Sequence, residues 1–133
     1  MQSGIGLQKD DDSEIAFVVE ALFSGAITIP ELREWCSHVI EVSNVSDIPP
    51  YIYDLLDYDG GVAGVNRAIG FFPVSGLSSS EISALNGIAY VRGLQPFDNA
   101  AKAGVAQKAL ARNGHVAERF ASIFPFLRTN VSP

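Results

Sequence analysis

Apolar residues recur in this chain at intervals of three and four almost from end to end, and clear strand alternation is nearly absent. That period is the strongest constraint on the fold. Side chains three and four apart share one face of an α-helix, whereas a strand face needs a period of two. Ile15, Val18, Val19 and Leu22 form one stripe, with Phe17 and Phe23 beside it and Gly25 as a stop. Leu32, Trp35, Cys36, Val39 and Ile40 form a second, at the spacing of a core-facing helix, which predicts a buried Trp35. With 47% of its 133 residues apolar, the chain can build a core without disulfide or metal support. The expected fold is all-α: a compact bundle of six or seven short helices spanning 11–133 as one domain, behind a flexible leader at 1–10. No long heptad seam is left over, so a monomer or weak dimer is expected.

Local signals place the helix ends. Carboxylates around Asp10–Asp12 suit the positive end of a first helix dipole. Thr28-Ile29-Pro30-Glu31 combines a capping hydroxyl, a first-turn proline and a glutamate three residues after the cap; Ser78-Ser79-Ser80-Glu81 writes a second capping box. A third helix begins after Asp47, with Pro49 and Pro50 confined to its first turn, and breaks at Asp59-Gly60-Gly61. A fourth, weakened by Gly64 and Gly70, would use Val62, Val65, Ala68, Ile69 and Phe72 and end at Pro73. After the helix carrying Ile82, Leu85, Ile88 and Ala89, a sixth is expected from about Asp98 to Arg112 with Ala101, Val105, Ala109 and Leu110 inward. A seventh follows, from Val116 to Phe124.

Charge is distributed unevenly. Residues 1–66 hold twelve of the fifteen carboxylates but only Lys9 and Arg33 as cations, a local charge of −10, against +4 for residues 67–133. An acidic face draws basic partners and speeds their docking. It also repels phosphate backbones, so direct nucleic-acid binding through this half is not expected. One cysteine, Cys36, precludes an internal disulfide and suits a reducing compartment. The first residues lack the basic and apolar regions of a secretory signal, and no apolar run approaches the ~20 residues of a membrane helix. A cytoplasmic protein without membrane contact is the expectation.

No residue set writes out a reaction. Glu34, His38 and Glu41 share one helical face, but with a single histidine and no further ligand they read as a solvated polar strip. Asp57-Tyr58-Asp59-Gly60-Gly61 fails as a calcium loop, because Val62 and Ala68 occupy the places of the required glycine and glutamate. Gly4-Ile5-Gly6 follows no strand, and Ser75-Gly76 lacks the rest of a nucleophile elbow. His115, after Gly114 at a helix start, has no carboxylate partner evident in sequence. No enzyme activity, metal or cofactor is expected. The segment 47–59 is more informative: Tyr51, Tyr53 and Tyr58 alternate with Asp54, Asp57 and Asp59, a mixture suited to a partner surface, with Glu34 and Glu41 as rim charges.

Residues 27–40, ITIPELREWCSHVI, followed by 48–56, IPPYIYDLL, resemble small helical immunity proteins of bacterial toxin systems, including the contact-dependent growth inhibition group. The resemblance implies a cytoplasmic, non-enzymatic protein that binds and neutralises a cognate toxin. A basic, nuclease-like toxin would match the acidic half. The alternative is a stand-alone helical adaptor or regulatory module without a toxin partner.

Overall fold

The structure, a computed structural model, describes residues 6–97 and 99–127. Among these residues lie seven helices: α1 (Ser13–Phe23), α2 (Ile29–Val42), α3 (Pro50–Leu56), α4 (Val65–Ile69), α5 (Ser79–Val91), α6 (Ala103–Arg112) and α7 (Gly114–Ile123). Single 3-10 turns stand at Val45–Asp47 and Val62–Gly64, and an isolated bridge pairs Gln8 with Asp11. The chain is all-α, as its periodicity dictates. Both capping boxes form. Thr28 Oγ1 accepts from the Glu31 amide at 3.3 Å while Glu31 Oε1 accepts from the Thr28 amide at 3.0 Å. Ser78 and Glu81 repeat the exchange at 3.1 and 2.8 Å.

The stretch expected as one helical domain gathers into two units. The first takes Met1–Leu22 and Thr28–Ser75, the second Phe23–Ile27 and Gly76–Pro133. The charge asymmetry follows the same division. The segments of the first unit carry twelve carboxylates against Lys9, Arg33 and Arg67, a net −9; those of the second carry three against six cations, a net +3.

In the first unit α2 packs on α3, and α3 on α4. Trp35, Cys36 and Leu32 are fully buried on α2, with Ile52 and Leu55 on α3. Of the stretch expected as a flexible leader, residues 6–8 are tied to the fold; residues 1–5 lie outside the described residues. Leu7 is buried, the Gly6 carbonyl accepts from the amides of Glu14 and Ile15 at 2.9 Å, and the Gln8–Asp11 pair closes a turn. Those carbonyl bonds satisfy amides that the start of α1 leaves free. The fourth helix is also shorter than expected. Gly70 adopts φ +96° and ends α4, so Phe72 lies beyond the helix and is 77% exposed.

In the second unit α5 packs closely on α6, and α7 touches both. The crossing of α5 and α6 runs through Gly87: a Cβ there would stand 2.6 Å from the Ala106 carbonyl oxygen and 3.0 Å from Leu110 Cβ. Asn86, 5% exposed, donates to the Ser24 carbonyl at 2.9 Å and accepts from the Ala101 amide at 3.1 Å. A buried amide with both ends bonded fixes two loops to α5 at once. Arg92 Nη1 adds a 2.7 Å bond to the Ala26 carbonyl, and the Tyr90 hydroxyl donates to the Ala101 carbonyl at 3.0 Å. The sixth helix begins at Ala103, not near Asp98, a residue outside those described. Its inward stripe is Ala106, Ala109 and Leu110. Val105, expected inside, is 60% exposed because it lies one position off that stripe.

Candidate functional site

The carboxylates of the first unit sort into two sets by what they bond. Asp12 Oδ2 accepts from the Val74 amide at 3.0 Å, Glu20 from the Ser75 hydroxyl at 2.9 Å, and Glu31 closes its capping box. Asp47 accepts from Asn44 at 3.5 Å. These acids fasten the fold. Glu34, Glu41, Asp54, Asp57 and Asp59 are all exposed and bond no side chain or backbone group among the described residues. The carboxylates expected at a partner surface therefore all fall in the uncommitted set, which Asp10 and Asp11 share.

Three of them stand where their own helices disfavour them. Glu41 lies in the last turn of α2, Asp54 in the last turn of α3, and Asp57 is the C-terminal cap residue of α3. The C-terminal end of a helix carries partial negative charge, so an anion there costs rather than gains free energy, and neither last turn carries a cation. Folding alone supplies no reason for these charges.

The tyrosines divide differently. Tyr53 is 43% exposed and stands four residues before Asp57, on the same face of the chain as it leaves α3. Tyr51, expected at the surface, is corrected to a core position. It is 6% exposed, its hydroxyl donates to the Leu7 carbonyl at 2.6 Å, and its ring meets Phe71 edge-on at 5.8 Å. Burial and neighbouring acids push its phenol well above the usual tyrosine range. Tyr58 is half-buried. Its hydroxyl donates to the Gly61 carbonyl, and its ring lies so close to the backbone that a Cβ at Gly60 or Gly64 would collide with its hydroxyl. The Tyr58 carbonyl accepts from Arg33 Nη1 at 2.6 Å, which ties the loop after α3 to α2. Tyr58 thus shapes the loop that presents Asp57 and Asp59, and Tyr53 is the aromatic left facing solvent.

The chain matches no protein-family model, no curated protein and no solved structure.

The remaining reactive side chains are accounted for by packing. Cys36 is fully buried, and that burial pushes its thiol up to about 12, far from a nucleophile's range. His115 does have a partner that sequence spacing could not indicate: its Nε2 lies 2.6 Å from Glu81 Oε2, thirty-four residues away. The Ser78 backbone amide, and then His115, hold the Glu81 carboxyl below its ordinary value. In the second unit a cleft of about 300 Å³ lies between Ser79, Ser80 and Ser83 of α5 and Lys108 and Arg112 of α6. Arg112 sits in the last turn of α6, where the helix dipole favours a cation, so the fold itself accounts for it. Among the described residues no three His, Cys, Asp or Glu side chains gather as metal ligands, and no helix is long and apolar enough to cross a membrane.

Proposed function

We propose that this chain is a cytoplasmic, non-enzymatic immunity protein that binds a cognate toxin, a basic and nuclease-like protein, and blocks it. One observation carries the reading: five exposed carboxylates without partners among the described residues, three of them at helix ends that disfavour negative charge. Such charges are explained when a partner's Lys and Arg side chains neutralise them. Nuclease clefts are basic because they hold phosphate, and a carboxylate surface competes for the same cations. The contact centres on Tyr53, Asp54, Asp57 and Asp59, with Glu34 and Glu41 at its rim. The capped α2 and the Tyr58-braced loop hold those groups in place before binding, which lowers the ordering cost of association. The resemblance of residues 27–40 and 48–56 to immunity proteins points the same way.

The test begins with the tagged chain purified from the cells that make it and mass spectrometry of what co-purifies. A stoichiometric basic protein is expected, toxic when expressed alone and tolerated when co-expressed with this chain. Association should be fast at low salt and slow as ionic strength rises, since screening reaches ~8 Å at physiological strength. Replacing Asp54, Asp57 and Asp59 together by Asn should lower the on-rate with little change in fold. Unchanged on-rates for that variant at low salt would sink the assignment of the surface. A partner that is neither basic nor harmful would favour an adaptor role.

A further inference from the structure

Phe72 and Val74 are 77% and 74% exposed, although the core of the first unit is built from side chains of the same kind. Scattered exposed apolar residues are ordinary. These two differ because the segment bearing them is tied to the fold at Phe71, Val74 and Ser75. Gly70 ends α4 at φ +96°, and Phe71 turns inward to set its ring against Tyr51. Pro73 fixes its own φ between them. The Val74 amide donates to Asp12 Oδ2, and the Ser75 hydroxyl to Glu20 Oε1. Residues 71–75 thus alternate between side chains or groups tied to the fold and large apolar side chains held out in water. Two apolar groups on a segment tied at both ends are suited to act as binding anchors, since part of the conformational freedom is already lost before binding.

The charges beside them specify the occupant. The bond from Val74 to Asp12 brings the segment against the N-terminal turn, whose neighbouring Asp10 and Asp11 are exposed and uncommitted, in a unit of net charge −9. We infer that Phe72 and Val74 are the apolar anchors of a docking surface for a basic protein segment in which Lys or Arg residues flank apolar side chains. The inference rests on the proposal that the chain's partner is basic, and adds an apolar contact beside Asp10–Asp12 to the acidic one already proposed.

The test uses two synthetic peptides of equal length and charge, one of Lys and Gln and one of Lys and Leu at helical spacing, titrated into the isotope-labelled full chain and followed by amide chemical shifts. The Lys/Leu peptide should bind about tenfold or more tightly than the Lys/Gln peptide, with shifts centred on residues 10–12 and 71–75. The F72S/V74S variant should erase that difference while retaining the weak charge-driven binding of both. Both positions are exposed, so the variant's dispersed amide spectrum should remain native. Equal affinity of wild type and F72S/V74S for the Lys/Leu peptide would overturn the anchor assignment while leaving the acidic surface standing. If the D54N/D57N/D59N variant weakens both peptides equally, the basic-partner reading is supported separately. Failure of both peptides to bind wild type would overturn both.

Discussion

Replacing Gly87 by alanine pits two effects of known size against each other. Gly87 lies inside α5, and in a helix alanine is favoured over glycine by about 1 kcal/mol. Opposing this, the new Cβ would stand 2.6 Å from the Ala106 carbonyl oxygen, 3.1 Å from its carbon and 3.0 Å from Leu110 Cβ. The first two are backbone atoms of α6, so no side-chain rotation relieves the overlap; α5 and α6 must move apart, opening the tightest packing in the second unit. Overpacking of this kind costs about 1–3 kcal/mol, and a backbone neighbour places it toward the upper end. The net expectation is destabilisation by about 1–2 kcal/mol. Gly104, on the exposed side of α6, is the internal control: nothing lies within 4 Å of a Cβ there. Gly104→Ala should therefore stabilise, by up to about 1 kcal/mol. Both substitutions restrict the unfolded chain in the same way, so the difference between the variants isolates the crossing. Urea unfolding followed by far-ultraviolet circular dichroism should separate them by about 2–3 kcal/mol with opposite signs. A Gly87→Ala protein as stable as Gly104→Ala would refute the close approach of the two helices.

Thr28→Ala and Glu31→Ala should each lower stability by about 1 kcal/mol, and the double variant by less than the sum, because both residues complete one capping box; denaturant midpoints of the cycle check this. Cys36 should resist a thiol reagent in the native chain at neutral pH and react on unfolding, since burial both raises its ionisation to about 12 and blocks access; rapid native-state labelling would contradict the packing of α2. Glu81 is held below its usual 4.5, so its contribution is present above the unfolded glutamate range and is lost as pH falls through the lowered folded value. Carbon-detected titration should show that depression, and His115→Gln should reduce it without abolishing it, because the Ser78 amide is the larger cause.

What sequence revealed and what it concealed differ by distance along the chain. Both capping boxes are legible because each is complete within four residues. The burial of Trp35 and Cys36 follows from one helix's own period. On α6, Ala109 and Leu110 are buried as the period predicts, but the stripe is ambiguous one turn earlier; the choice between Val105 and Ala106 is made by Gly87, on another helix. Phe72 fits the spacing that Ile69 begins, yet the left-handed turn at Gly70 removes it from the helix. Tyr51, Tyr53 and Tyr58 are equivalent as letters. Their fates diverge through the Leu7 carbonyl, forty-four residues from Tyr51, and through the glycines that admit the Tyr58 ring. The acidity of the first half is a matter of counting. Which acids are already engaged depends on bonds such as Asp12 to Val74 and Glu20 to Ser75, separated by sixty-two and fifty-five residues.

That division yields a prediction about stability opposite to the one about binding. Charges that fasten a fold weaken it when removed; charges kept for a partner strengthen it. Glu41, Asp54 and Asp57 face the negative ends of their helices, a penalty of roughly 0.3–1 kcal/mol each at low salt and smaller when screened. Neutralising them also reduces the net charge of −9 carried by the segments of their unit. Glu41→Gln, Asp54→Asn and Asp57→Asn should therefore each raise the denaturation midpoint slightly, and added salt should stabilise the wild type more than the triple variant. Asp12→Asn and Glu20→Gln should instead destabilise, because each weakens a charge-assisted bond to the 74–75 segment. Thermal unfolding of the five single variants and of the E41Q/D54N/D57N triple variant at low and high salt separates the two sets. If neutralising Glu41, Asp54 and Asp57 lowers stability as much as neutralising Asp12 and Glu20, those carboxylates belong to the architecture, and the case that they await a basic partner falls with that result.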